Sequence, residues 1–203
     1  PSRPKFVLVS SFGVYGTAEL PAGTLLDESC PLEPRPAQRD VYSQAKLRQE
    51  RLFREYQERH GFPLVVLRPG VIYGPTGGRL SARIGVQLPG LFLELGGHNE
   101  LPLTYVDNCA EALLVAASSE AAVGQTYNVV DEDRPDCHEY FLAYQRQVEP
   151  LRSLRVPYAA AYGCQCAILF SSGSQLPDCA AALDLAARRR LSVRNTITDV
   201  RPP

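Results

Sequence analysis

Apolar runs and one long amphipathic segment organise the first third of the chain. Residues 5–9 are mostly β-branched and apolar, which predicts a strand buried on both faces of a parallel sheet. Asp40 can cap a helix that runs to about His60 and stops at Gly61. Residues 63–67 predict the next strand. Strand, helix and strand in this order predict a βαβ unit with a right-handed crossover and a parallel sheet.

The predicted helix and the segment before it differ in pattern. The helix is amphipathic, with an apolar stripe formed by Val41, Ala45, Leu52, Phe53 and Tyr56. Residues 16–39 contain four prolines, which exclude a regular helix there. This segment is either a loop that shapes the mouth of a substrate site or a solvated connection.

The remainder of the chain predicts further alternation of helices and strands. Asp107 is expected to cap a helix that begins with an alanine-rich run. The predicted elements are a helix over residues 80–95, strands at 103–106 and 126–130, a helix over 138–148, an edge strand at 154–157, a helix up to Phe170 and another over 180–190.

Composition narrows the class of protein. A chain of 203 residues with 45% hydrophobic residues can bury one substantial core, so we expect a single domain. The formal net charge of −1 argues against nucleic acid as a partner. There is neither an apolar run of bilayer length nor an N-terminal signal core, so we expect no membrane segment and a cytoplasmic location.

Cysteine and methionine usage adds two expectations. The six cysteines are scattered, and the tight pair Cys164 and Cys166 lacks the second pair or the histidines that would complete a metal site. We therefore expect reduced thiols and no metal. The chain has no methionine and begins with a proline just before a strand, which indicates an internal piece of a longer protein.

Tyr42 and Lys46 lie four positions apart, hence on one face of the predicted helix. The pKa of a free tyrosine is about 10, which is too high for efficient proton transfer near neutrality, and an ammonium one helical turn away lowers it. Ser11 follows the first strand and Arg68 ends the next one, so both fall at the carboxyl ends of neighbouring strands, where α/β sheets bind ligands.

Four motifs in order carry a resemblance to a known family. They are Val-Leu-Val-Ser-Ser before Val-Tyr-Gly in residues 7–16, Tyr-x-x-x-Lys in 42–46, Leu-Arg-Pro-Gly-Val-Ile-Tyr-Gly-Pro in 67–75, and Tyr-Val-Asp-Asn in 105–108. Together they resemble the extended short-chain dehydrogenase/reductase superfamily, over residues 5 to about 141. The resemblance implies an α/β fold with an NAD(P)-binding Rossmann-like, doubly wound parallel sheet.

The same resemblance implies roles for individual residues. Tyr42 would be the catalytic acid/base, Lys46 would lower its pKa and hold the nicotinamide ribose, and Ser11 would position the reacting oxygen. The cofactor, NAD or NADP, would contact Tyr42, Lys46, Pro69 and Val71, and the substrate would contact Ser11, Gly13 and Tyr73. Arg68 is expected in a structural ion pair, and His98 and His138 in surface or capping roles.

The chain departs from the family at its start. No glycine-rich turn precedes Lys5, and we interpret the spacing of Gly70, Gly74 and Gly77 as accidental. We therefore expect the chain to be the catalytic half of a Rossmann-like domain, truncated at its N-terminus and inactive alone. That half would comprise about residues 1–75 and 103–130, with substrate-binding segments at about 76–102 and 131–203.

The substrate class is inferred from a missing cation. Residues 96–104 lack the arginine that enzymes of this superfamily acting on nucleotide sugars use to grip phosphate. The resemblance therefore favours the 3β-hydroxysteroid dehydrogenase-like branch and hydride transfer at a secondary alcohol or ketone carbon. The alternatives are a nucleotide-sugar epimerase/dehydratase and a non-catalytic binding relative. A small-molecule substrate and a homodimer are the expected partners.

Overall fold

A computed structural model of the chain describes residues 4–21, 23–75 and 80–157, with the backbone of residues 192 and 193. The helices predicted up to Phe170 and over 180–190 lie outside the described residues. The α-helices are α1 (Val41–His60), α2 (Val106–Ser118) and α3 (Cys137–Gln147). The strands are β1 (Phe6–Val9), β2 (Leu25–Leu26), β3 (Leu64–Pro69), β4 (Val71–Tyr73), β5 (Gly85–Leu88), β6 (Leu91–Glu94), β7 (Leu103–Tyr105), β8 (Thr126–Val129), β9 (Ser153–Arg155) and β10 (Ser192–Val193).

The predicted βαβ unit is present. Strands β1 and β3 pair in parallel, with Val9 opposite Leu67, and β8 pairs in parallel with the other side of β3. The helix between them, α1, begins where the Asp40 carboxylate accepts the Ser43 N–H and ends where Gly61 adopts a φ of 62°. Both ends of this helix were therefore predicted correctly.

Helices cover the two faces of this sheet. Because successive side chains of a strand point to opposite faces, β3 divides its apolar residues between two clusters. Val65 and Leu67 pack with Ala112 and Ala116 of α2, whereas Leu64 and Val66 pack with Leu8, Phe53 and Phe62 on the α1 side. This arrangement confirms the predicted α/β class, a doubly wound parallel sheet.

Most of the apolar stripe of α1 is exposed, although Phe53 packs on the sheet. Val41 is 80% exposed, and Leu52 and Tyr56 are each about half exposed. The buried residues of the helix are instead Ser43, Leu47 and Glu50, two of which are polar. The reason is that the sheet presents polar partners to this helix, as described below.

The helix predicted over residues 80–95 is wrong. This segment forms an antiparallel hairpin of β5 and β6, with Gly90 at a φ of 73° in the turn. At Gly85 an added Cβ would lie 2.0 Å from the Leu93 carbonyl oxygen, so the two strands pack at a distance that only glycine permits. The predicted edge strand near residue 154 is β9, which joins this hairpin beside β6.

Gly70 marks the point where the central strand changes partners. Its N–H donates to the Val129 carbonyl of β8 and to Thr104 Oγ1, and from Val71 onward the chain pairs with β7. An added Cβ on Gly70 would lie 2.2 Å from the Pro102 carbonyl oxygen. This switch carries Val71 and Tyr73 beyond the main sheet.

Strand β1 is covered on both faces, because Val7 packs against the cluster of Val65 and Leu67 and Leu8 is buried with Leu64 and Val66; its first residue, Phe6, is 42% exposed. One smaller expectation needs correction. Asp107 lies in the first turn of α2 and does not cap it. Strand β7 runs directly into this helix, so the capping position falls on Tyr105, whose N–H is bound by Asp131.

Candidate active site

A cavity of about 320 Å³ lies at the carboxyl ends of β1 and β3. It brings together four of the residues singled out from the sequence, namely Ser11, Gly13, Tyr42 and Val71. The first two follow β1, Tyr42 is in the first turn of α1, and Val71 follows the Gly70 switch. Residues from three separate parts of the chain therefore face one space.

Ser11 is fixed by the turn that it starts. It precedes the one-turn helix Phe12–Val14, and its Oγ accepts the Gly13 N–H at 3.1 Å. The hydroxyl hydrogen remains available to donate to another acceptor. A Cβ on Gly13 would lie 3.0 Å from Ser43 Oγ, so glycine allows this turn to pack against α1.

Tyr42 and Lys46 lie one turn apart on α1, as their spacing predicts. The Lys46 ammonium donates to the Val9 carbonyl at 2.9 Å and lies 5.9 Å from the centre of the Tyr42 ring. Tyr42 is 57% exposed. Lys46 is thus held at the carboxyl end of β1, while Tyr42 projects at the mouth of the cavity.

The beginning of α1 is fastened to the turn after β1. The Asp40 carboxylate accepts the Ser43 N–H at 2.9 Å and the Ser43 hydroxyl at 2.6 Å. Burial raises the pKa of Asp40, but the two Ser43 hydrogen bonds and the charge of Arg39 outweigh it and lower that pKa overall. Arg39, itself buried, donates to the Gly13 carbonyl at 3.2 Å. The first turn of α1, which carries Tyr42, is therefore held by the Asp40 cap and by the hydrogen bond from Arg39 to the turn after β1.

A buried polar network, which we call the Glu50 network, lies behind the cavity. Glu50 is fully buried and accepts hydrogen bonds from Ser10 at 2.7 Å, from Arg68 at 2.5 and 3.2 Å, and from Arg54 at 3.0 Å. Burial raises the pKa of Glu50, but these hydrogen bonds and the Arg68 charge hold it below its ordinary value. The expected ion pair of Arg68 is confirmed.

The network continues to the far side of Arg68. The Tyr15 hydroxyl accepts from Arg68 at 2.9 Å and donates to Asn128 Oδ1 at 2.7 Å, and all three side chains are buried. Burial raises the pKa of Tyr15 to about 12, so this phenol remains protonated. The Glu50 network thus joins α1 to the three strands β1, β3 and β8.

Three further residues singled out from the sequence, Lys46, Pro69 and Tyr73, are not among the described residues of the cavity wall. Pro69 is buried at the end of β3, opposite Val129. Tyr73 lines a second, neighbouring cavity of about 580 Å³. The two cavities share Val71 and Ser81 in their walls.

The structure also places residues in the cavity wall that the sequence did not indicate. Ser81 and Arg83 face Ser11 and Tyr42 across the cavity, just before the hairpin. Arg39 and Ser43 line it beside Tyr42. The spacing of Asp40 and Ser43 could have indicated the cap, whereas nothing in the sequence places residues 81–83 near Tyr42.

The histidines lie in a separate region. His98 Nδ1 lies 2.5 Å from Asp136, which caps α3, and His138 Nδ1 lies 2.9 Å from Glu94. Within the described ranges, no group of three or more His, Cys, Asp or Glu side chains is arranged to bind a metal ion. No helix in those same ranges has the length and apolarity needed to cross a bilayer.

Solved structures with the same fold include three whose described activities differ. The UDP-glucose 4-epimerase of Thermotoga maritima is 17% identical, with a TM-score of 0.59 over 95% of this chain and 55% of that one. The dTDP-glucose 4,6-dehydratase of Bacillus anthracis, solved in complex with NAD, is 18% identical, with a TM-score of 0.59 over 94% and 53%. The terminal R domain of the myxalamid biosynthetic pathway is 22% identical, with a TM-score of 0.58 over 97% and 51%.

These likenesses establish the fold, and the chain spans only about half the length of each of the three structures. No curated protein matches the chain significantly. A family model, in contrast, matches residues 2–129, which is more than half of the sequence. The Ser-Ser turn, the Tyr-x-x-x-Lys helix and the Arg68 strand all fall within the match. The chain therefore belongs to the NAD dependent epimerase/dehydratase family.

Proposed function

We propose that this chain carries the proton-transferring residues of an NAD-dependent enzyme that acts at a secondary alcohol or ketone carbon. The observation that carries the proposal is the convergence of Ser11 and Tyr42 on one cavity, with Lys46 one helical turn behind. Family membership supports it, because the family is defined by NAD-dependent chemistry. The position at the carboxyl ends of parallel strands supports it too.

The residues present fit one end of the cofactor. Lys46 is half-buried, with its ammonium held at the end of β1 one helical turn from Tyr42, and Val71 lines the cavity that Tyr42 borders, so these side chains suit a ribose hydroxyl and a flat ring. A cavity of about 320 Å³ accommodates the nicotinamide end and not a whole dinucleotide. When bound there, NAD or NADP would supply the site that accepts or donates hydride.

Each side chain then has a defined task. The Ser11 hydroxyl accepts the Gly13 N–H, so its own hydrogen can donate to the substrate oxygen. Tyr42 gives a proton to that oxygen or takes one from it. Lys46 stabilises negative charge on the phenol oxygen through Coulomb attraction. Because Tyr42 is more than half exposed, the bound substrate has to cover it to exclude water.

The test uses the natural polypeptide that contains this sequence, here called the parent polypeptide. Tyr42→Phe should reduce turnover about 10²–10⁴-fold, because general acid–base catalysis contributes about that factor. Binding of NADH or NADPH, measured by fluorescence titration, should stay within about twofold. Tyr56→Phe is the matched control, since Tyr56 is also a half-exposed tyrosine of α1 but lies more than three turns away.

Either of two results would contradict the proposal. Undiminished turnover in Tyr42→Phe would show that the proton is transferred elsewhere. A parent polypeptide that binds neither NADH nor NADPH would favour a non-catalytic relative.

A further inference from the structure

The cavity that contains Tyr73 opens beside the candidate active site. It has a volume of about 580 Å³ and is the larger of the two. Val71 and Ser81 line both cavities, so a molecule that places its reacting carbon near Tyr42 has this second space directly next to it. This adjacency makes the second cavity a recognition site for the rest of that molecule.

Tyrosine rings and aliphatic side chains dominate the wall of the second cavity. It is lined by Tyr73, Tyr140 and Tyr144, with Ile84 and Leu101 at its base. Ile84 and Leu101 belong to a core cluster against which Tyr73 and Tyr140 pack. The rings of Tyr73 and Tyr140 are therefore held in place by the core, as a preformed apolar site requires.

The described part of this wall contains no charged side chain. Phosphate groups are recognised by Arg, Lys or helix N-termini. The α3 residues in the wall begin at the end of the first turn with Tyr140, whose N–H is bonded to the Asp136 carbonyl, and continue through Tyr144 to the C-cap Val148. The negative end of the helix dipole disfavours an anion there. The described part of the wall therefore suits an uncharged ring better than a diphosphate.

We propose that the second cavity binds an uncharged aromatic or alicyclic group attached to the reacting carbon. The substrate is then a ring-bearing secondary alcohol or the corresponding ketone. This assignment rests on the proposed function for the position of the reacting carbon. The recognition of the ring depends only on the cavity.

The test is a binding measurement that needs no turnover. Isothermal titration of the parent polypeptide with methyl naphthyl ketone should show tighter binding than with acetone or UDP-glucose. Tyr144→Lys, which places an ammonium in the wall, should weaken binding of methyl naphthyl ketone at least tenfold, and Tyr144→Ala should also weaken it. Tyr144→Phe, which keeps the ring, should bind as the unsubstituted protein does.

Gln147→Lys is the matched control. Gln147 is an exposed residue of α3 outside the cavity wall, so the substitution adds the same charge to the same helix without touching the cavity. It should leave binding of methyl naphthyl ketone unchanged. Circular dichroism of each variant checks that the helix content is retained.

The outcomes separate this inference from the proposed function. If methyl naphthyl ketone binds with the expected dependence on residue 144 while the parent polypeptide binds neither NADH nor NADPH, or while Tyr42→Phe keeps full turnover, the proposed function fails and the cavity assignment stands. If the ketone does not bind, if Tyr144→Lys binds it normally, or if UDP-glucose binds more tightly, the assignment is overturned, whatever the enzyme reduces.

Discussion

Replacing Glu50 by alanine should lower the free energy of unfolding of the protein by about 3–5 kcal/mol. The Glu50 carboxylate is fully buried and pairs with Arg68, whose side chain is 3% exposed. The substitution leaves the Arg68 guanidinium buried without its counter-charge, and breaking a buried pair from one side costs about that amount. Ser10 and Arg54 lose their acceptor as well.

A double-mutant cycle tests the reason for this loss. Arg68→Met removes the orphaned charge, so Glu50→Ala combined with Arg68→Met should lose about 1–3 kcal/mol less than the sum of the single losses. Urea unfolding followed by circular dichroism gives each free energy. Glu55→Ala is the control on the same helix, because its partner Arg59 is exposed and the pair spans 4.0 Å; it should cost less than about 0.5 kcal/mol.

The same pair makes stability depend on pH. The pKa of Glu50 is lower in the folded protein than its ordinary value of 4.5, so the carboxylate contributes its full stabilisation above that value. The contribution is lost as the pH falls through the folded pKa. The difference in stability between the protein and Glu50→Gln should therefore shrink below about pH 4.5. A strictly additive cycle, or a difference independent of pH, would refute the reasoning.

Three further substitutions have expected outcomes. Gly70→Ala should cost at least about 1–3 kcal/mol in urea unfolding, because its Cβ would meet the Pro102 carbonyl oxygen at 2.2 Å. Asp136→Ala should cost about 1 kcal/mol, because it removes the carboxylate that accepts the Glu139 N–H in the α3 capping box. We propose that α1 forms a homodimer through its exposed apolar residues, so Val41→Lys with Leu52→Lys should yield monomers in sedimentation velocity at unchanged helix content.

Local signals in the sequence predicted the positions of β1 and α1. The end of β1, the Asp40 cap and the Gly61 stop are each set by a few neighbouring residues, so their positions could be predicted. Once the strand and helix are placed, Ser11 and Tyr42 must approach the same sheet edge. The structure shows both in the wall of one cavity.

The buried face of α1 and the hairpin after Pro75 were not predicted, because both depend on contacts between residues that are distant in the sequence. The polar face of α1 is buried because Arg68, 18 residues beyond Glu50, supplies the partner that makes burial of a carboxylate tolerable. Of the apolar stripe of the same helix, Phe53 packs on the sheet, whereas Val41, Leu52 and Tyr56 remain exposed. In the segment after Pro75, Gly85 and Gly90 favoured a hairpin over a helix, because one permits close strand packing and the other supplies the turn.

The Glu50 network anchors α1 to the sheet, so the tilt of this helix determines the position of Tyr42. Glu50 lies eight residues beyond Tyr42, or about 12 Å along the helix axis at a rise of about 1.5 Å per residue. A tilt of about 5° around that anchor would move the phenol by about 1 Å, a displacement that can reduce a catalytic rate about a hundredfold. Thr126 of β8 accepts a hydrogen bond from Arg54, which belongs to the network. A substitution at Thr126 can therefore change the position of Tyr42 without contacting the cavity.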